Sequence, residues 1–99
     1  MIMVRAVLSC KPGKVRPAVE KFKKLNGWME KKGLAPYRIL TDVAGAEFWT
    51  MILEREFESL DAAQSFEADT LGDPQAREIM AGYHDLVRGG RREFYTVEG

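Results

Sequence analysis

The chain of 99 residues has a single cysteine, a single histidine and no surplus of charge. Cys10, being alone, can form no intrachain disulfide and no cysteine-based zinc site within one chain, a composition that suits a reducing cytoplasm. His84 has no second histidine beside which to hold a metal or a haem. Fifteen basic and fifteen acidic side chains cancel, so no long-range field draws the molecule to phosphate backbones or anionic membranes. Long apolar runs are scarce as well. The stretch Met1-Ile2-Met3-Val4-Arg5-Ala6-Val7-Leu8 lacks a basic leader and is interrupted by Arg5, so it reads as a strand and neither as a signal peptide nor as a membrane span. No linker or low-complexity segment divides the sequence, and residues 1–99 are expected to form one domain with a core that needs no metal or disulfide.

What is present is a βαβ pattern written twice, without residue-level identity between the halves. The first strand, Ile2 to Ser9, is followed by Lys11-Pro12-Gly13-Lys14, which breaks it. From Lys14 or Val15 onward, Val15, Ala18, Val19, Phe22, Leu25 and Met29 recur at helical spacing, and Gly33 ends the helix with Leu34 placed to pack back. A second strand, Ala35 to Val43, turns through Ala44-Gly45-Ala46 into a third that ends near Phe57. Ser59 caps a short helix with Leu60, Ala63 and Phe66 on its apolar side, and Pro74 opens another, with Ala76, Ile79, Met80, Tyr83, Leu86 and Val87, that runs to Gly89-Gly90. The last strand spans Arg92 to Val97. This layout predicts an α+β, ferredoxin-like βαββαβ fold, an antiparallel sheet with helices on one face and an extra short helix before the last strand. In Glu47-Phe48-Trp49-Thr50-Met51-Ile52-Leu53, Phe48 and Ile52 fall on one face and Trp49, Met51 and Leu53 on the other. Both faces of the sheet therefore need cover, helices serve only one, and a second copy of the chain is expected on the other.

Pro12-Gly13-Lys14 after the first strand, Phe57-Glu58-Ser59-Leu60-Asp61-Ala62-Ala63 after the third, and a Pro74-initiated helix before a terminal Arg-Glu-Phe-Tyr-Thr-Val strand together resemble the dimeric α/β-barrel superfamily. Within it the chain is most similar to the NIPSNAP-like and antibiotic-biosynthesis-monooxygenase-like small domains. The resemblance spans nearly the whole chain and implies a homodimer whose two sheets pack face to face, with a small apolar cavity between each sheet and its surrounding elements. It implies no single chemistry, because the superfamily includes cofactor-independent oxygenases, isomerases, haem-handling enzymes and domains without established activity.

Among candidate site residues, His84 is suited to acid–base work and Tyr83 adjoins it, which makes these two the candidate catalytic pair. The helical neighbours of His84 are Met80, Val87 and Arg88, none of which can orient its ring, so a helix-edge histidine without a role is the plainer alternative. Arg5 and Arg38 would mark a pocket if buried, or else pair with Glu47, Glu54 or Glu93 across the sheet. Trp28, Trp49, Tyr37, Tyr83 and Tyr95 can line an aromatic cavity or fill the core and interface. The candidate ligand pocket is therefore Arg5, Trp49, Tyr83, His84 and Tyr95. Cys10 beside Lys11 and Lys14 reads as a small strand-end hydrophobe in the absence of an oriented base. Glu54, Glu56, Glu58, Asp61, Glu67 and Asp69 lack calcium-loop spacing and read as a solvated face, and Gly89-Gly90-Arg91-Arg92 is not a phosphate loop. An RNA-recognition sheet is excluded because the first strand has no aromatic residue and Glu47-Phe48-Trp49-Thr50-Met51 does not match the basic-Gly-aromatic pattern.

Two functional readings follow. One is a non-catalytic small-ligand-binding or assembly domain; the other is a cofactor-independent monooxygenase or isomerase acting on a small apolar or aromatic molecule. Neither calls for a metal or a cofactor, and the expected partners are a second copy and a small ligand, with no nucleic acid and no membrane. Catalysis would further require an enclosed apolar cavity that contains at least one of Tyr83, His84, Tyr95 or Arg5.

Overall fold

The computed structural model describes all residues, 1–99. Alternating apolar residues carry β1 over Ile2–Cys10, and the turn after it feeds α1, Val15–Lys31. Strands β2 (Arg38–Thr41) and β3 (Thr50–Phe57) follow, then α2 (Leu60–Gly72), α3 (Pro74–Ile79), a single 3₁₀ turn at Tyr83–Asp85 and β4 (Val87–Thr96). The four strands lie in the order β2-β3-β1-β4, with every neighbouring pair antiparallel.

Period-two alternation assigns the two faces of the sheet. On one face, Ala6, Leu8 and Cys10 of β1 and Met51 and Leu53 of β3 pack against Ala18, Val19, Phe22, Leu25, Trp28 and Met29 of α1. Cys10, Met29 and Met51 are fully buried there. The apolar stripe of α1 is what its spacing predicts, extended by Trp28. The helix ends with Gly33 N–H donating to Glu30 O and Leu34 N–H to Met29 O, so two of its last carbonyls are satisfied locally. The Ser59 hydroxyl accepts from Ala62 N–H at 3.1 Å and caps α2. Asp73 caps α3 by accepting from Gln75 and Ala76 N–H, and the Ala76 bond foremost holds its carboxyl below the usual aspartate range.

The molecule departs from the expected element boundaries in three places, the first being the start of β2, at Arg38 and not at Ala35. The link from β2 to β3 is not a three-residue turn at Ala44-Gly45-Ala46, since β2 ends at Thr41 and β3 begins at Thr50. The Asp42 carboxylate accepts from Thr50 N–H at 2.8 Å, closing a longer loop in which Trp49 has a positive φ of 61°. Phe48 and Trp49 therefore lie outside the strand. The helix opened by Pro74 also stops at Ile79, far short of Gly89-Gly90, and β4 starts at Val87 instead of Arg92. Lys21 Nζ donates to Ile79 O and Ala81 O, capping α3, and Gly82 at φ 83° turns the chain away. Position 90 then lies within β4 and has to be glycine, since a Cβ there would stand 2.5 Å from Val7 O.

Candidate functional site

Ala63 is the one residue of helix α2 that is buried, and a cavity of about 570 Å³ lies between the helix and the sheet. Ala6 and Leu8 from β1, Leu53 from β3, Phe22 and Leu25 from α1, and Phe66 from α2 make its walls apolar. Into this space β4 points Arg92 and Phe94, at period two from Gly90. Ala63, Glu67 and Leu71 also line it, four residues apart on one side of α2. Tyr37, which precedes β2, completes a polar sector with Tyr83, His84, Glu67 and Arg92. Its volume is within the range of about 300–1,000 Å³ common to small-molecule sites. A second hollow of about 660 Å³ beside Trp28 and Lys32 is more open to solvent and sets Met1, Leu34, Phe57 and Phe66 among Arg55, Glu56, Glu58, Asp69 and Asp73, so it encloses an apolar ligand less completely.

The polar sector has distinct electrostatics. Arg92 Nη1 and Glu67 Oε2 are 2.6 Å apart, a bridge from β4 to α2 across the mouth, with both side chains nearly half exposed. Tyr37 is held in place by its own backbone, whose N–H donates to Asn26 Oδ1 while its carbonyl accepts from Asn26 Nδ2. Burial raises the pKa of the Tyr37 hydroxyl, with Arg55 and Arg92 opposing the shift. The Tyr83 hydroxyl is raised by burial and by Cys10. Both phenols are therefore protonated at neutral pH and able to donate. Burial, assisted by Asp42, likewise raises the Cys10 thiol, which makes it a poor nucleophile.

The candidate residues divide among three places. Tyr83 and His84 line the cavity; the Tyr83 ring meets Phe22 edge-on at 5.8 Å and His84 at 5.2 Å. His84 is exposed, and no hydrogen bond orients its ring. Arg5 and Tyr95 are instead on the opposite, uncovered face, where Arg5 lies 5.6 Å over the Tyr95 ring. There the strand register lines up Arg38, Glu54, Arg5 and Glu93 in one row across all four strands. Glu54, only 6% exposed, accepts from Arg5 Nε at 2.7 Å and from Arg38 Nη2 at 2.9 Å. Arg5 is thus engaged by one of the cross-strand carboxylates that the sequence offered it. Tyr95 donates to Glu93 at 3.0 Å. Trp49 is half exposed in the β2–β3 loop and meets β1 through its backbone, its carbonyl accepting from Cys10 N–H.

Arg92 and Glu67 were hidden by their neighbours in the sequence. Glu67 looks like one member of an acidic run, and Arg92 like the end of a glycine-arginine turn. The usable signals are that Glu67 shares the helical side of Ala63 and that Arg92 shares the strand face of Phe94.

Solved structures with this arrangement include an uncharacterized NIPSNAP-like domain protein from Burkholderia xenovorans, 13% identical, at TM-score 0.83 over 98% of this chain and 84% of that one. The chain has the ferredoxin-like fold of the NIPSNAP and antibiotic-biosynthesis-monooxygenase-like proteins. A NIPSNAP family protein of unknown function from Agrobacterium tumefaciens is 20% identical, at TM-score 0.78 over 96% and 86% of the two chains. An antibiotic biosynthesis monooxygenase is 13% identical, at TM-score 0.72 over the full length of both. No family model and no curated protein matches the sequence. At these identities the likeness concerns fold, and activity has to be read from the site.

Proposed function

We propose that the protein is a homodimeric domain that binds a small apolar or aromatic molecule in the cavity between sheet and helices, in a reducing cytoplasm. The observation that carries this reading is the joining of apolar walls from Leu53, Phe22 and Phe66 to a single polar sector at Tyr37, Tyr83 and Arg92. Binding is preferred to catalysis because the cavity contains Tyr83 and His84 but no partner that fixes the His84 ring for proton transfer. The dimer rests on the uncovered face, where Val7, Ile52 and Leu40 form an apolar row beside the charged one.

Calorimetric titration with p-cresol tests the reading. The wild type is expected to bind saturably, and Ala63→Phe, which fills the cavity from α2, to lose binding while keeping its circular dichroism spectrum. Binding that survives Ala63→Phe in a folded protein places the ligand elsewhere and overturns the assignment. Turnover of phenols, quinones or lactones that is lost in His84→Ala or Tyr83→Phe would favour the enzyme reading over the binding one.

A further inference from the structure

We propose that the cavity selects a small amphiphile with one carboxylate, whose anionic oxygens engage Arg92 at the mouth while its apolar body lies against Leu53, Phe22 and Phe66. This inference rests on the binding role proposed above and names the ligand's chemical class.

Three observations carry it. The first is the unused capacity of Arg92. It meets Glu67 through a single nitrogen, Nη1, although a guanidinium has five N–H donors arranged to grip a carboxylate with two. The second is the charge around the polar sector. Arg55 stacks 4.3 Å over Phe57 and 4.4 Å over Phe66 and donates to Ala35 O, but it pairs with no carboxylate. Arg55 lines the neighbouring hollow, with Glu56, Glu58, Asp69 and Asp73, and not the cavity itself, so what it adds to the polar sector is a positive field at Tyr37 beside the Arg92–Glu67 pair. Both guanidiniums and Glu67 are near enough to Tyr37 to act on its hydroxyl. The third is that the Tyr37 and Tyr83 hydroxyls, both on the cavity wall, make no hydrogen bond within the protein, and each can donate to an anionic oxygen. An alcohol or an amide could use these hydroxyls too. Only a carboxylate also takes the guanidinium with two anionic oxygens at once.

Glu67 has a definite role in this scheme. It holds Arg92 through Nη1 and competes with an incoming carboxylate, so its removal should strengthen binding of an anion relative to a neutral molecule of the same shape.

The experiment is calorimetric titration at fixed ionic strength with a matched pair, 3-phenylpropionate and 3-phenylpropionamide, on wild type, Arg92→Gln and Glu67→Gln, each checked for fold by circular dichroism. Wild type is expected to bind the acid about tenfold more tightly than the amide, the scale of one charge-assisted contact at a partly wet site. Arg92→Gln should abolish that preference by weakening the acid about tenfold more than the amide, and Glu67→Gln should enlarge it. Equal affinity for acid and amide in wild type overturns anion selection while leaving the binding cavity standing, as does a preference that persists in Arg92→Gln. Failure of both compounds to bind wild type overturns the binding cavity itself, and this inference with it.

Discussion

Gly90 is where the backbone leaves least room. With Val7 O 2.5 Å and the Leu8 side chain 2.9 Å from where a Cβ would stand, Gly90→Ala must push β4 away from β1. A destabilisation of about 1–3 kcal/mol is expected, the range for overpacking, and urea denaturation would measure it. A midpoint equal to wild type would show that β4 is not held so closely. The same residue marks a limit of sequence reading, because a Gly-Gly pair after helically spaced apolar residues has the signature of a helix end. What places it inside a strand is close backbone approach, which no local pattern records. Arg5 is the opposite case: its odd position in an apolar strand was visible, and so were the carboxylates able to satisfy it.

At the scale of elements, α1 was legible because its stability and its apolar spacing coincide, six buried side chains on one stripe and a satisfied C-terminus. The end of α3 was not, since Lys21 reaches it from 58 residues away to cap Ile79 O. The β2–β3 loop is longer than the three-residue turn its Ala44-Gly45-Ala46 suggests because the Asp42 carboxylate, reaching across it to Thr50 N–H, does the work of a tight turn. Helix α2 was placed correctly by Ser59, yet its looseness against the sheet, which creates the cavity, depends on how few of its side chains the sheet accepts. Because a single buried residue, Ala63, anchors it, α2 should open locally more readily than α1. Native-state hydrogen exchange is expected to show weaker protection in α2, and Ser59→Ala should reduce it further by removing a cap that contributes about 1 kcal/mol. Equal protection of the two helices would contradict this account of the cavity roof.

For the whole molecule, the two sheet faces make different demands. Met51 is fully buried under α1, whereas Ile52, next in the chain, points to the uncovered face between Val7 and Leu40. Met51→Asp should unfold the protein by burying an unpaired carboxylate. Ile52→Asp should leave a folded chain and shift the mass seen by light scattering from two chains to one. A wild type that stays at the mass of one chain as concentration rises would contradict the proposed dimer. The most direct test of the central claim, that the space beneath α2 is the binding site, is a heteronuclear NMR titration with p-cresol. The account predicts backbone amide shifts concentrated at Tyr37, Leu53, Ala63, Glu67 and Tyr83; shifts concentrated instead at Arg5, Val7, Ile52 and Tyr95 on the other face, or none, would contradict it.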